Sequence, residues 1–119
     1  ANETARLVKV LDTLQLEAML QHTRAGLLLD TVGYRGSILN LQSLEWADSN
    51  AAILDAHVLQ NKGLQLTMVE PAAAASADNK PAIVFDAAGV SDPFKFRLVH
   101  SSGISSELAS DGIHKVLVQ

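Results

Sequence analysis

The 119-residue sequence contains no cysteine. That absence excludes disulfides, iron–sulfur ligation and zinc sites with cysteine ligands, but it leaves the compartment open. Aromatic residues are scarce: three Phe, one Tyr and one Trp. The core is therefore expected to be aliphatic, built from Leu, Val, Ile and Ala. Lys and Arg number 9 against 13 Asp and Glu, giving a net charge of −4. The basic residues form no block, whereas a nucleic-acid-binding domain ordinarily shows a basic stripe. No nucleic-acid partner is expected. No apolar run approaches the roughly 18–20 residues that span a bilayer. The opening ANETARLVKVLDTL lacks the basic start and continuous apolar stretch of a secretory signal. It also lacks an initiating Met, so a mature or shortened chain is expected.

What is present fits one globular domain over residues 1–119. The apolar fraction is 48% and the charged fraction 18%, unlike a disordered segment. Residues 3–22 predict an amphipathic helix. Leu7, Leu11, Leu14 and Ala18 recur at spacings of four, three and four, which stacks them on one face. Val8, Val10 and Met19 widen that stripe, and Arg6, Lys9, Thr13, Glu17 and Gln21 lie opposite. Asn2 or Thr4 would cap the start, and Gly26 would mark the stop.

After Gly26 the period changes to strands. Residues 27–30 and 34–41 predict a hairpin across Thr31-Val32-Gly33, with a short extension over 44–46. Residues 53–59 alternate like a half-buried strand. Asn61-Lys62-Gly63 would turn that strand back into 64–69 as a second hairpin. Residues 71–81, PAAAASADNKP, read as a flexible loop. Strands follow at 83–85 and 94–99, then a polar connection over 101–110 and a last strand over 113–118 after Asp111-Gly112. The expected fold class is α+β: one helix laid on antiparallel sheets, with a small β-sandwich body of seven or eight strands.

The search for reactive chemistry yields little. Among His22, His57, His100 and His114 no pair has the helical spacing of a zinc motif. Asp55 and His57 would share a strand face and form the best local metal pair, set against plain solvated histidines. Asp48, Asp78, Asp86, Asp92 and Asp111 sit near turns. The calcium-loop pattern is missing, and Asp is a standard turn residue. No G-x-S-x-G elbow or glycine-rich phosphate loop is present. No catalytic residue, metal site or cofactor is assigned, and a structural or interaction protein is favoured over an enzyme. Tyr34 and Trp46 read as buried or half-buried packing rather than partner anchors.

One order of residues carries a resemblance. Ala5-Arg6-Leu7, Leu11, Leu14, Glu17-Ala18, Gly26-Leu27, Gly33-Tyr34 and Trp46 resemble the soluble part of GspH-type minor pseudopilins of bacterial type II secretion. That family shades into FimT/FimU-type minor pilins. Pro81-Ala82-Ile83-Val84-Phe85-Asp86, Gly89 and Pro93-Phe94-Lys95-Phe96-Arg97-Leu98 resemble its late segment of apolar strand, glycine turn and Pro-Phe strand. Gly112 falls where the family has a glycine before its last strand. Residues 47–80 match poorly, and the prepilin cleavage motif and long apolar helix of the family are not in the sequence.

The resemblance implies a pilin-like fold. Residues 1–24 would be the C-terminal half of a long helix, and residues 25–119 a β-rich body with the loop at 71–81. It implies a non-catalytic periplasmic subunit, anchored in the inner membrane through a missing apolar helix before assembly. It also implies methylation. Such a subunit would join the tip complex of minor pseudopilins to the major-pseudopilin shaft and help export folded proteins. Its partners would be those pseudopilins and, further out, secreted exoproteins. Arg6, Lys9, Thr13 and Glu17 are the expected contact residues; Leu7, Leu11, Leu14, Ala18, Gly26, Gly33, Tyr34, Trp46, Gly89, Phe94 and Gly112 are the expected structural ones. Two rivals stand beside this reading. One is a type IV minor pilin serving adhesion, motility or DNA uptake. The other is a periplasmic ligand- or metal-binding β-domain using Asp55, His57 and the Ala-rich loop.

Overall fold

The computed structural model describes residues 3–30, 32–49, 51–70, 80–114 and 116–118. One helix, α1 (Glu3–Leu20), is followed by nine strands among these residues. They are β1 (Ala25–Leu29), β2 (Gly33–Leu39), β3 (Trp46–Ala47), β4 (His57–Val58), β5 (Leu64–Glu70), β6 (Ile83–Phe85), β7 (Phe94–His100), β8 (Ser105–Ser110) and β9 (Leu117–Val118). Single 3-10 turns at Ala52–Leu54 and Gln60–Lys62 flank β4. The strands form two antiparallel sheets. The first runs β3-β2-β1-β6, with β4 also paired to β2, and the second runs β5-β7-β8-β9. This is the α+β architecture that the sequence predicts, one helix on antiparallel sheets, with nine strands among the described residues where seven or eight were expected.

The helix stripe sits where its period places it. Leu7, Val10, Leu11, Leu14 and Ala18 are buried. They join Leu27, Leu29, Tyr34, Ile38, Phe85, Phe94, Phe96 and Leu108 in one core shared by α1 and both sheets. The helix lies on β1, β2 and β6 of the first sheet and reaches β8 of the second. Each fully buried leucine contributes on the order of 1.5–3 kcal/mol. β1, AGLLL, is buried at every residue, because it is central in its sheet. β7 instead alternates, burying Phe94, Phe96 and Leu98. Phe94 packs edge-on to Phe85 with ring centroids 6.2 Å apart. Tyr34 is buried and Trp46 half-buried, as read from the sequence.

Two glycines permit close backbone approach. A Cβ on Gly33 would collide with the His57 carbonyl across the β2–β4 pair. A Cβ on Gly112 would collide with the Ser91 carbonyl, and Gly112 also needs a φ of +90°. Gly36 was not singled out in the sequence, yet a Cβ there would lie 2.9 Å from Leu54 and 3.0 Å from Leu14. It lets α1 settle onto β2.

Several expectations fail, each for a physical reason. Gly26 does not end the helix. His22 does, at φ +52°, with Thr23 N–H donating to Ala18 C=O (3.1 Å) and His22 N–H to Met19 C=O (3.4 Å). This is the paired capping pattern usually built on glycine. Thr4 is inside the helix, sharing a 2.8 Å hydrogen bond with Ser106, and Asn2 lies outside the described residues. Of the strand expected over 53–59 only His57–Val58 forms: the buried Leu54 and Leu59 are five apart, out of step with period two, and Ala52–Leu54 is a 3-10 turn instead. The hairpin of 53–59 with 64–69 is absent as well, since β4 pairs with β2 and β5 with β7. The polar connection shrinks to 101–104, because Ser105–Ser110 is β8, paired residue for residue with β7. Serine is a weak strand former, so that long register imposes the strand from outside. The last strand is only Leu117–Val118. The loop expected at 71–81 lies, over 71–79, outside the described residues.

Candidate interaction face

The outward side of α1 offers the most chemistry that the core does not absorb. At 100° per residue, Ala5, Lys9, Leu16 and Leu20 fall within a narrow sector opposite Leu7, Leu11, Leu14 and Ala18. All four are exposed, Leu16 at 51% and Leu20 at 64%. They form a crest, with Asp12 and Thr13 half-buried on either side.

The expected contact residues are placed unequally. Lys9 is on the crest. Thr13 is half-buried and its hydroxyl donates to the Lys9 carbonyl at 2.7 Å. Glu17 is half-buried, accepts a 2.5 Å hydrogen bond from Gln21, and lines a shallow cleft with Ile38, Asn40, Ala47 and Asp48. Arg6 is half-buried, like Thr13 and Glu17, and its Nε is buried with no hydrogen bond of normal geometry among the described residues. Its guanidinium lies toward Tyr34, whose hydroxyl is likewise buried without such a bond. Burial pushes the Tyr34 phenol up to about 12, and the nearby Arg6 charge opposes that rise. The sequence reading missed Leu16 and Leu20. Their signal was a helix with leucines outside its main stripe, an excess that a one-faced helix does not need.

A polar clamp fixes the start of the helix. Glu3 meets His57 Nε2 at 2.7 Å and Lys62 Nζ at 3.0 Å. Partial burial raises the Glu3 carboxyl, but hydrogen bonds from Lys62 and His57 outweigh it and hold the group below the usual carboxylate range. The His57 ring also lies 5.5 Å from Tyr34. His57 thus faces Glu3 on α1, not Asp55, and the strand face that would have joined Asp55 to His57 does not form. Among the described residues no three of His, Cys, Asp and Glu converge to hold a metal. Asp86 and Asp111 serve their own turns, accepting the N–H groups of Ala88 and Val90 and of Ile113 and His114. Asp78 lies outside the described residues.

A second apolar feature is the β2–β3 turn. Leu41 is 60% and Leu44 72% exposed, and Leu44 adopts φ +59°. Asn40 Oδ1 holds this turn by accepting the N–H groups of Gln42 and Ser43. Leu41 and Leu44 border an open groove of about 580 Å³ with Thr23, Arg24, Leu39 and Ala88. No helix among the described residues is long and apolar enough to cross a membrane.

No protein-family model matches the sequence, and no curated protein sequence matches it significantly. Solved structures do match the fold. Two structures of the minor pseudopilin EpsH from the type 2 secretion system of Vibrio cholerae superpose with TM-scores of 0.76 and 0.77, at 16% and 17% identity. Both cover 98% of this chain, and 94% and 89% of their own. The solution structure of E. coli GspH matches at TM-score 0.72 and 15% identity, covering 97% of this chain and 83% of its own. The fold of the chain is that of the GspH-type pseudopilins.

Proposed function

We propose that this chain is the periplasmic domain of a minor pseudopilin of a type II secretion system. The carrying observation is the match of nearly the whole chain, helix and both sheets together, to EpsH and GspH. In this reading the protein is a non-catalytic fibre subunit. It joins the tip complex of other minor pseudopilins to the major-pseudopilin shaft and so supports export of folded proteins across the outer membrane. It is anchored in the inner membrane before assembly. The outward side of α1 supplies the contacts: Lys9, Thr13 and Glu17 from the expected set, joined by Leu16 and Leu20. Arg6 holds the flank of the helix against Tyr34. Apolar side chains with a few charges around them are the usual makeup of an interface centre and rim.

Deletion of the encoding gene tests the reading. Loss of exoproteins from the medium, restored by the intact gene but not by one carrying Leu16→Asp and Leu20→Asp, is the expected result. Normal secretion with lost twitching, adhesion or DNA uptake would transfer the subunit to a type IV pilus. Normal secretion and normal pilus functions would overturn the fibre reading altogether.

A further inference from the structure

We propose that the groove beyond the C-terminal end of α1 docks the tip-side neighbour of this subunit, through an aliphatic segment that carries one carboxylate. The proposal rests on the fibre reading and uses a surface separate from the outward side of α1. The anchor sets the direction. In that reading the membrane helix continues from the Glu3 end of α1, so residues 22–24 lie at the opposite end, about 27 Å along the axis. That end faces away from the membrane and toward the tip. There residues 22–24 meet the β2–β3 turn and the turn after β6 around the groove of about 580 Å³.

Leu39, Leu41, Leu44, Ala87 and Ala88 form the apolar wall. The β2–β3 turn holds two of these leucines out toward solvent. Leu44 N–H donates to Asn40 C=O at 2.7 Å, and Asn40 N–H to Glu45 C=O at 2.8 Å. Leu44 therefore keeps a left-handed backbone at a turn position where glycine or asparagine is the ordinary choice. His22 is the other non-glycine residue with positive φ among the described residues, and it lines the same groove. The conformation of His22 closes the helix, but an exposed leucine gains nothing for the fold by being strained. Strain retained at such a position points to use of the side chain. The charges select the occupant. Arg24 and Asp86 line the groove, while Glu45 on the same turn as Leu44 does not. Asp86 Oδ1 already accepts N–H groups of its own turn, Ala88 at 2.9 Å and Val90 at 3.1 Å. Arg24 is exposed and makes no ion pair among the described residues. Its backbone is fixed, with Leu39 N–H donating to Arg24 C=O at 2.9 Å. An unengaged guanidinium beside an apolar wall fits aliphatic side chains with one carboxylate next to them. A basic segment would meet Arg24 with like charge.

The probes are the purified soluble domains of the other minor pseudopilins encoded beside this gene, and of the major pseudopilin. Titration calorimetry against this chain should find one minor domain that binds. Leu41→Asp and Arg24→Glu should each weaken that binding by at least roughly tenfold, and Leu16→Asp should leave it unchanged. Leu44→Gly is the sharpest variant, because it removes the side chain and also relieves the left-handed backbone. Its thermal midpoint should hold or rise while its binding falls at least roughly tenfold. No binding by any minor domain, groove-dependent binding of the major domain alone, or an equal loss with Leu16→Asp would each overturn the proposal. So would a Leu44→Gly chain that melts early or binds as tightly as the parent. Secretion assays separate this failure from that of the fibre reading. A dispensable gene sinks the fibre reading. Secretion that needs Leu16 and Leu20 but is normal with Leu41→Asp and Arg24→Glu sinks the groove proposal alone.

Discussion

The two sides of α1 are made of nearly the same residues and live in different worlds. Leu7, Leu11, Leu14 and Ala18 are 1% exposed or less, while Leu16 and Leu20 are more than half exposed. Both sets recur at helical spacing, and nothing in the side chains distinguishes them. The difference comes from what the sheets present. β1 and β2 offer a continuous apolar floor with Gly36 cut low under Leu14, and nothing described covers the other side. Leucine on the inner side is spent on folding. On the outer side it adds little to stability.

The largest expected effect lies on the inner side. Leu14→Ala or Leu11→Ala should cost about 2–5 kcal/mol, the range for a buried leucine whose cavity cannot fully collapse. Denaturant unfolding measures it as a shift in midpoint without a change in slope. A loss below about 1 kcal/mol would show that the helix is loosely seated and would erase the contrast between the two sides.

The clamp at the start of the helix should matter less. Glu3→Gln removes the charged partner of His57 and Lys62 and should cost roughly 1 kcal/mol at neutral pH. Its pH dependence has a definite sign. The Glu3 carboxyl is held below its ordinary value in the folded chain. Its contribution is therefore present above the ordinary carboxylate range, about 4.3, and is lost as pH falls from there through the lower folded value. The wild type should lose stability relative to Glu3→Gln across that acid window. Parallel stability profiles for the two proteins would remove Glu3 from the account of how the helix is anchored.

His22 gives a smaller effect of opposite sign. Its left-handed φ of +52° strains a residue with a Cβ, so His22→Gly should stabilise the protein by about 0.5–1 kcal/mol, even though glycine gains freedom in the unfolded chain. The thermal midpoint should rise. A fall would mean that the imidazole makes a contact outweighing the strain.

How much of this was legible in the sequence depended on how local the determinant was. The buried helix stripe was readable because Leu7, Leu11, Leu14 and Ala18 encode their own period. β5 and β7 were readable for the same reason at period two. β8 was not, because Ser105 and Ser106 are strand only by pairing with Val99 and Leu98. Nor was the partner of β5 readable: a neighbouring alternating segment looked like the other half of a hairpin, and the true partner lies past residues 71–79. Gly26 looked like the helix stop, but no composition rule points to a histidine in left-handed conformation. The outward side of the helix was half legible. Lys9 was found because it is charged and opposite the stripe. Arg6 is half-buried beside Tyr34, which its position on the polar side of the stripe did not foretell. Leu16 and Leu20 were passed over because a leucine in a helix reads as core until the sheets show which side they cover.

The smallest effect on folding is expected where the largest effect on assembly should fall. Leu16→Ala deletes a side chain that is 51% exposed and opens no cavity. Alanine is also the better helix former, so the folding free energy should move by no more than about 0.5 kcal/mol in either direction. The same substitution trims the outward side of α1 that the proposed fibre contacts use. Exoprotein secretion should therefore fall while the melting curve stays in place. That separation of readouts sharpens the contrast between the two sides of the helix. A Leu16→Ala protein that melts as early as Leu14→Ala would show that the outer leucines are held by the fold itself, and the crest would cease to be a free surface.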